Sequence, residues 1–95
     1  MKAKRYDNEL LHDLRDPGEA ARYLNACLEE SDEVFLLGLR HVVEASGGIG
    51  GLSKKTELDR VNLYRTLSKR GNPKLSSLSA ILEAVGIELR FRAVR

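Results

Sequence analysis

Cysteine is almost missing from this 95-residue chain: Cys27 stands alone. No internal disulfide can form, which points to a reducing compartment. Long apolar runs are missing as well, and nothing in the sequence is long enough to span a bilayer. The first residues, Met1 to Tyr6, are basic but lack the apolar stretch of a signal peptide. A soluble, cytoplasmic protein is expected. Catalytic patterns are equally scarce. His12 and His41 lie in no Cys or carboxylate array with metal-ligand spacing, so both read as ordinary surface or edge histidines. No Ser/His/Asp arrangement stands out, and the glycine cluster at 47–51 lacks the Lys-Ser/Thr that would make it a phosphate loop. No enzyme, metal or cofactor is expected. Internal repeats are absent too. What remains is a single small domain over 16–95 with an N-terminal arm over 1–15. A chain of this size buries a modest core, and dimerisation would help it.

Net charge is only +2, but its distribution is uneven. Residues 1–46 carry six Lys/Arg against ten Asp/Glu, whereas residues 47–76 carry seven Lys/Arg against Glu57 and Asp59. An acidic front and a basic middle suggest two faces with different partners.

Apolar periodicity organises the chain into helices. Tyr6, Leu10, Leu11 and Leu14 suit a short helical turn or a docking arm. Asp16 can then cap a helix with Pro17 at its first position and Glu19 placed as in a capping box. Ala20, Tyr23, Leu24, Cys27 and Leu28 form its buried stripe, which makes Cys27 a core residue. Asp32 or Ser31 can cap a second helix to about Ser46, with Phe35, Leu36, Leu39, Val42 and Val43 inward and Val34 and Leu37 broadening the face. So wide a face predicts a central helix. The glycines at 47–51 are expected to end it, since each costs roughly 1 kcal/mol in a helix relative to alanine. Two short helices follow at about 51–57 and 60–69. Asp59 is placed to cap the second by accepting from the N–H of Val61 or Asn62. Leu63 and Leu67 face inward, Gly71 suits a helix end and Pro73 prevents continuation. Ser76 is expected to cap a last helix bearing Leu78, Ile81, Leu82 and Val85, closed by Gly86. Residues 87–92 then alternate strictly, with Ile87, Leu89 and Phe91 apolar. That is a strand signal, and a lone strand needs a partner, here the same strand of a second subunit.

The two short helices have the layout of a helix-turn-helix, whose second helix enters the DNA major groove. Ser53 is small enough for the close crossing, and Leu52, Leu58 and Leu63 would lock the pair. Arg60, Val61, Asn62 and Arg65 are the candidate base readers: Arg suits guanine O6 and N7, Asn suits adenine N6 and N7, and Val61 suits a thymine methyl. Lys54, Lys55, Tyr64, Lys69, Arg70 and Lys74 suit phosphates, which set affinity and register. The backbone N–H of Gly51 at the first helix's start suits a further phosphate. Glu57 occupies the turn position that usually takes glycine, which predicts either a small strain or a different turn.

The run Tyr64-Arg-Thr-Leu-Ser-Lys-Arg-Gly-Asn-Pro-Lys-Leu-Ser-Ser-Leu78, followed by Ile81-Leu-Glu-Ala-Val-Gly-Ile-Glu-Leu89, resembles the end of the addiction-module antidote family. Asp16-Pro-Gly-Glu-Ala-Ala-Arg-Tyr-Leu-Asn25 and Leu28-Glu-Glu-Ser-Asp32 resemble its front half. The resemblance covers about residues 14–92. The sequence departs from the family pattern at 47–51, where an Arg-Gly pair and Gln are usual, and at Glu57. The resemblance implies an antitoxin of a bacterial type II toxin–antitoxin module with an Xre/Cro-type, lambda-repressor-like helix-turn-helix. Such a protein binds a RelE/ParE-like toxin and represses its own operon as a homodimer on operator DNA. The expected fold is therefore all-α, with about five helices and a C-terminal strand. Two rival readings remain: a solitary Xre-family regulator without a toxin, and a helical protein-interaction adaptor. A neighbouring gene for a small basic protein would separate the first rival, and binding to the chain's own promoter the second.

Overall fold

The computed structural model describes residues 9–68 and 70–94, and the described chain is helical. Residues 9–13 form α1, followed by α2 (Pro17–Glu30), α3 (Asp32–Ala45), α4 (Gly48–Thr56), α5 (Arg60–Thr66) and α6 (Leu75–Ala84). Leu39, Val42, Leu63 and Ile81 are the largest side chains in the fully buried centre. Leu14 is buried with them and Leu10 packs against them, so the described part of the N-terminal arm adds to the core. Tyr6 lies outside the described residues.

The start of α2 follows local chemistry. The Asp16 carboxylate accepts from the Glu19 N–H at 3.0 Å. Only half of the expected capping box forms, because the Glu19 carboxylate turns to Arg22 at 2.6 Å and the Asp16 N–H donates instead to the Asp13 carbonyl at 3.1 Å. Ala20, Leu24 and Cys27 are buried as the stripe requires, with Tyr23 half-buried. Leu28 is not: it is 52% exposed in the last turn, where the chain reverses at Ser31. Ser31, rather than Asp32, caps α3 by accepting from the Val34 N–H at 3.0 Å. Leu36, Leu39, Val42 and Val43 are inward, but Val34 and Leu37 stand on the exposed flank.

Helices α2 and α3 approach closely at Gly38, where a methyl group would meet Cys27 Sγ at 2.7 Å. Tyr23 clamps the same face, its hydroxyl hydrogen-bonded to His41 Nδ1 at 2.7 Å. Burial pushes the Cys27 thiol pKa up, so this cysteine is a packing residue with little thiolate character.

Packing is more distributed than the wide face of α3 suggested: α4 packs against α3, α5 and α6. Helix α4 also begins earlier than its composition predicts. Gly47 and Gly48, with φ of 112° and 77°, turn the chain out of α3. Gly50 and Gly51 are then carried into the helix between Ile49, which packs on the core, and buried Leu52. Tertiary burial overrides the propensity cost of the glycines.

Helix α6 starts at Leu75 after an extended Lys74 without a side-chain cap, so Ser76 lies inside the helix rather than capping it. It closes on a paired motif: Ile87 N–H to Leu82 carbonyl at 2.8 Å and Gly86 N–H to Glu83 carbonyl at 3.0 Å. Beyond it, residues 87–94 form no strand in the single chain. A strand is stabilised by cross-strand pairing, and no second strand stands beside this segment among the described residues.

Candidate nucleic-acid interface

The connection between α4 and α5 is short and heavily tied. Ser53 Oγ donates to the Leu58 carbonyl at 2.8 Å. Thr56 Oγ1 donates back to the Leu52 carbonyl at 2.9 Å and accepts from the Leu58 N–H at 3.2 Å. Between these ties Glu57 adopts φ 64°, ψ 6°, the left-handed conformation that usually selects glycine. The strain foreseen at this position is therefore present. For a non-glycine residue it costs roughly 1–2 kcal/mol, against about 0.4–1 kcal/mol for the extra unfolded-state freedom of glycine. Glu57→Gly is expected to stabilise the domain by roughly 0.5–1 kcal/mol, read as a higher urea midpoint. An unchanged or lower midpoint would show that the ties at 53, 56 and 58 do not hold Glu57 against its preference.

Helix α5 is positioned by two leucines. Leu63 is 1% exposed and Leu67, just past the helix, is 2% exposed. Helical spacing then turns Arg60, Val61, Asn62, Tyr64 and Arg65 outward, and all five are exposed. The helix ends at Thr66, three residues short of the expected end. The Ser68 N–H and hydroxyl both bond the Arg65 carbonyl, at 3.3 and 2.8 Å, and close the last turn early.

The four candidate base readers are not equivalent. Asp59 caps α5 by accepting from the Asn62 N–H at 2.7 Å, and its second oxygen accepts from Asn62 Nδ2 at 3.0 Å. That leaves the Asn62 carbonyl oxygen and one amide hydrogen available, with the side chain held in one orientation. The Arg60 guanidinium lies back over the first turn of α4, 3.0 Å from the position a Gly50 methyl would take. Arg65 projects one turn further along the same helix. Removing the cap with Asp59→Ala is expected to cost about 1 kcal/mol of stability. Thermal unfolding checks it, and an unchanged midpoint would show that the two Asp59 bonds carry no net stability.

Beside α5 lies a groove of about 620 Å³, lined among others by Asn62, Arg65, Arg70, Asn72, Lys74 and Ser77. Three of these are cations, and among the described residues no carboxylate lines the groove. Asn72 and Ser77 had no functional signal in the sequence, because Gly71-Asn72-Pro73 reads as a helix stop and Ser77 as a helix surface. Lys54 and Lys55 are exposed in the last turn of α4. Lys69 lies outside the described residues. Gly51 is half-buried in the fourth position of α4 instead of opening it, so its N–H falls outside the unpaired first turn on which a phosphate contact was expected. Tyr64 borders a second groove of about 570 Å³ with Arg40, Glu44, Ile49 and Leu67. The terminal residues expected to dimerise follow a gradient: Ile87 is half-buried against the core, Leu89 is 40% exposed and Phe91 is 94% exposed.

Among the described residues, no helix is long and apolar enough to cross a membrane. Comparison with known proteins gives one family: a model described as probable addiction module antidote protein matches residues 3–93. No curated protein and no solved structure matches the chain.

Proposed function

We propose that this chain, which belongs to the family of probable addiction module antidote proteins, is the antitoxin of a type II toxin–antitoxin module that also represses its own operon. In this reading α4 and α5 are a lambda-repressor-like helix-turn-helix. Helix α5 enters the major groove of operator DNA, with Asn62 and Arg65 leading the base contacts and Arg60 swinging out from Gly50 to join them. Val61 meets a thymine methyl. Lys54, Lys55, Tyr64, Arg70, Lys74 and, from its place in the sequence, Lys69 hold phosphates. A homodimer presents two such helices to two half-sites.

The observation that carries this reading is the outward row on α5 beside a groove that contains Arg65, Arg70 and Lys74 and, among the described residues, no carboxylate. A solvated helix face usually mixes both signs of charge, whereas a phosphate-binding face excludes acids. The toxin is proposed to dock elsewhere, at the α2–α3 corner. There Glu29, Glu30, Asp32 and Glu33 are exposed together with Leu28, Val34 and Leu37. Apolar anchors within an acidic rim suit a basic RelE/ParE-like partner.

A gel-shift with the DNA upstream of the gene, set against unrelated DNA and repeated across salt, tests the repressor half. A sequence-preferring complex that weakens steeply with salt is expected. Equal affinity for both DNAs would remove the repressor role. Co-purification with the product of the adjoining gene tests the antitoxin half.

A further inference from the structure

We infer that residues 87–91 pair antiparallel with the same segment of a second copy of this chain, with the molecular dyad passing through Leu89. This rests on the homodimer of the proposed function and fixes its register.

Three observations define the segment. The hydrogen-bonded end of α6 at Gly86, φ 84°, sets where an extended stretch can begin. The Arg90 guanidinium pairs with the Glu88 carboxylate of the same chain at 2.8 Å, which places these alternate residues on one side. Ile87, Leu89 and Phe91 alternate with them, and their exposure climbs from half-buried to 94% as the chain leaves the core. An apolar row that continues the core and then runs out into solvent is an incomplete face, and the exposed Phe91 is its largest member.

Charge decides which occupant and which register complete it. In an antiparallel pair, directly opposed residues share a face, so a dyad must pass through a residue of the segment. A dyad at Glu88 opposes two glutamates, and one at Arg90 opposes two arginines at its centre, although it also sets Glu88 against Arg92 twice. A dyad at Phe91 sets Arg90 against Arg92 twice. Like charges directly opposite destabilise a pair. A dyad at Ile87 would need Val85 and Gly86, which close α6, to pair as strand. A dyad at Leu89 alone opposes Glu88 to Arg90 twice, and the same register sets Ile87 against Phe91 twice and Leu89 against its own copy. Every polar pair is then attractive and every apolar residue is covered. Phe91 lands on the partner's copy of Ile87, beside the core that Ile87 adjoins.

Sedimentation of the unmodified protein and disulfide trapping together test the ribbon. Unmodified protein should sediment as a dimer, and a monomer at tens of micromolar would overturn the ribbon. Single Cys substitutions at 87, 88, 89, 90 and 91 should cross-link fastest at Leu89→Cys, because only that position brings two Cα atoms within disulfide range. The buried Cys27 of the unmodified chain is the control. A maximum at any other position overturns the register. Glu88→Arg should weaken the dimer roughly tenfold or more, and adding Arg90→Glu should restore it. Failure of the double swap to restore it, with helicity retained by circular dichroism, also overturns the register. The operator gel-shift separates the two levels of the reading. Operator preference without cross-linking would sink the ribbon alone, and a Leu89→Cys dimer without operator preference would sink the repressor role alone.

Discussion

Gly71→Ala is expected to lower the stability of this domain by about 2–3 kcal/mol, at the upper end of what overpacking usually costs. An added Cβ would collide with the Thr66 carbonyl oxygen and stand 3.0 Å from that of Arg65. Both are backbone atoms at the C-terminal end of α5, so no rotamer change can make room. The chain must either move the 70–74 segment outward or break the turn in which the Gly71 N–H bonds the Ser68 carbonyl at 2.9 Å. Alanine reduces unfolded-state freedom and returns only about 0.4–1 kcal/mol. For a domain of this length each kcal/mol moves the thermal midpoint by roughly 4–8 °C, so a fall on the order of 10–20 °C should be visible by circular dichroism. Gly51→Ala is the matched control. Its Cβ would find only the Ser46 carbonyl, at an ordinary 3.8 Å, inside a helix. That change should leave the midpoint unchanged or raise it, since alanine is the better helix former. Equal effects of the two substitutions would show that the approach to α5 does not require glycine at 71.

The contrast between these glycines shows where the sequence was legible. Short-range chemistry was readable: an Asp three residues before a helical N–H, leucines four apart, and a glycine followed by an extended segment each decide local structure by themselves. Asp16, Asp59, Leu63, Leu67 and Gly86 accordingly stand where their spacing places them. Long-range competition was not readable. Gly50 and Gly51 lie in a helix because Ile49 and Leu52 find cover on neighbouring helices, and propensity contains no term for that. Gly71 was legible as a helix stop but not as a steric requirement, since its neighbours are the carbonyls of a preceding helix. Leu28, Val34 and Leu37 fit an apolar stripe by period, yet the crossing of α2 and α3 leaves them exposed.

The candidate interface divides the same way. Helical phase alone turns Arg60, Asn62 and Arg65 outward once Leu63 is inward. Phase does not say where a long side chain lies, and Arg60 lies back over Gly50. Nor does it say that Asn72 and Ser77 would share a groove with Arg65 and Lys74. Those neighbours are brought together by the turn after α5, whose path is set by the close approach at Gly71. The terminal strand was legible as a pattern only. The single chain forms no strand there, and the pairing inferred for it would be a property of two chains.

Within the proposed function, Arg65→Ala and Lys74→Ala should fail in different ways. Arg65 stands on the outer face of α5 and Lys74 at the edge of the basic groove, in the extended residue before α6. A guanidinium that forks onto guanine contributes about 1–3 kcal/mol of discrimination, so Arg65→Ala should bring operator and unrelated DNA closer in affinity by roughly 5- to 150-fold. An ammonium near the backbone reads no sequence. Lys74→Ala should weaken both DNAs by a similar factor and flatten the dependence of log affinity on log salt by about one unit for each phosphate left without its lysine. Each homodimer carries two copies of each residue, so both effects are doubled in free energy if both half-sites are engaged. Titrations of operator and scrambled DNA at three or more salt concentrations separate the outcomes. If Arg65→Ala weakens both DNAs equally and Lys74→Ala changes their ratio, then α5 is not the reading helix and the groove side faces the bases. If neither substitution moves either affinity, the surface around α5 does not touch DNA.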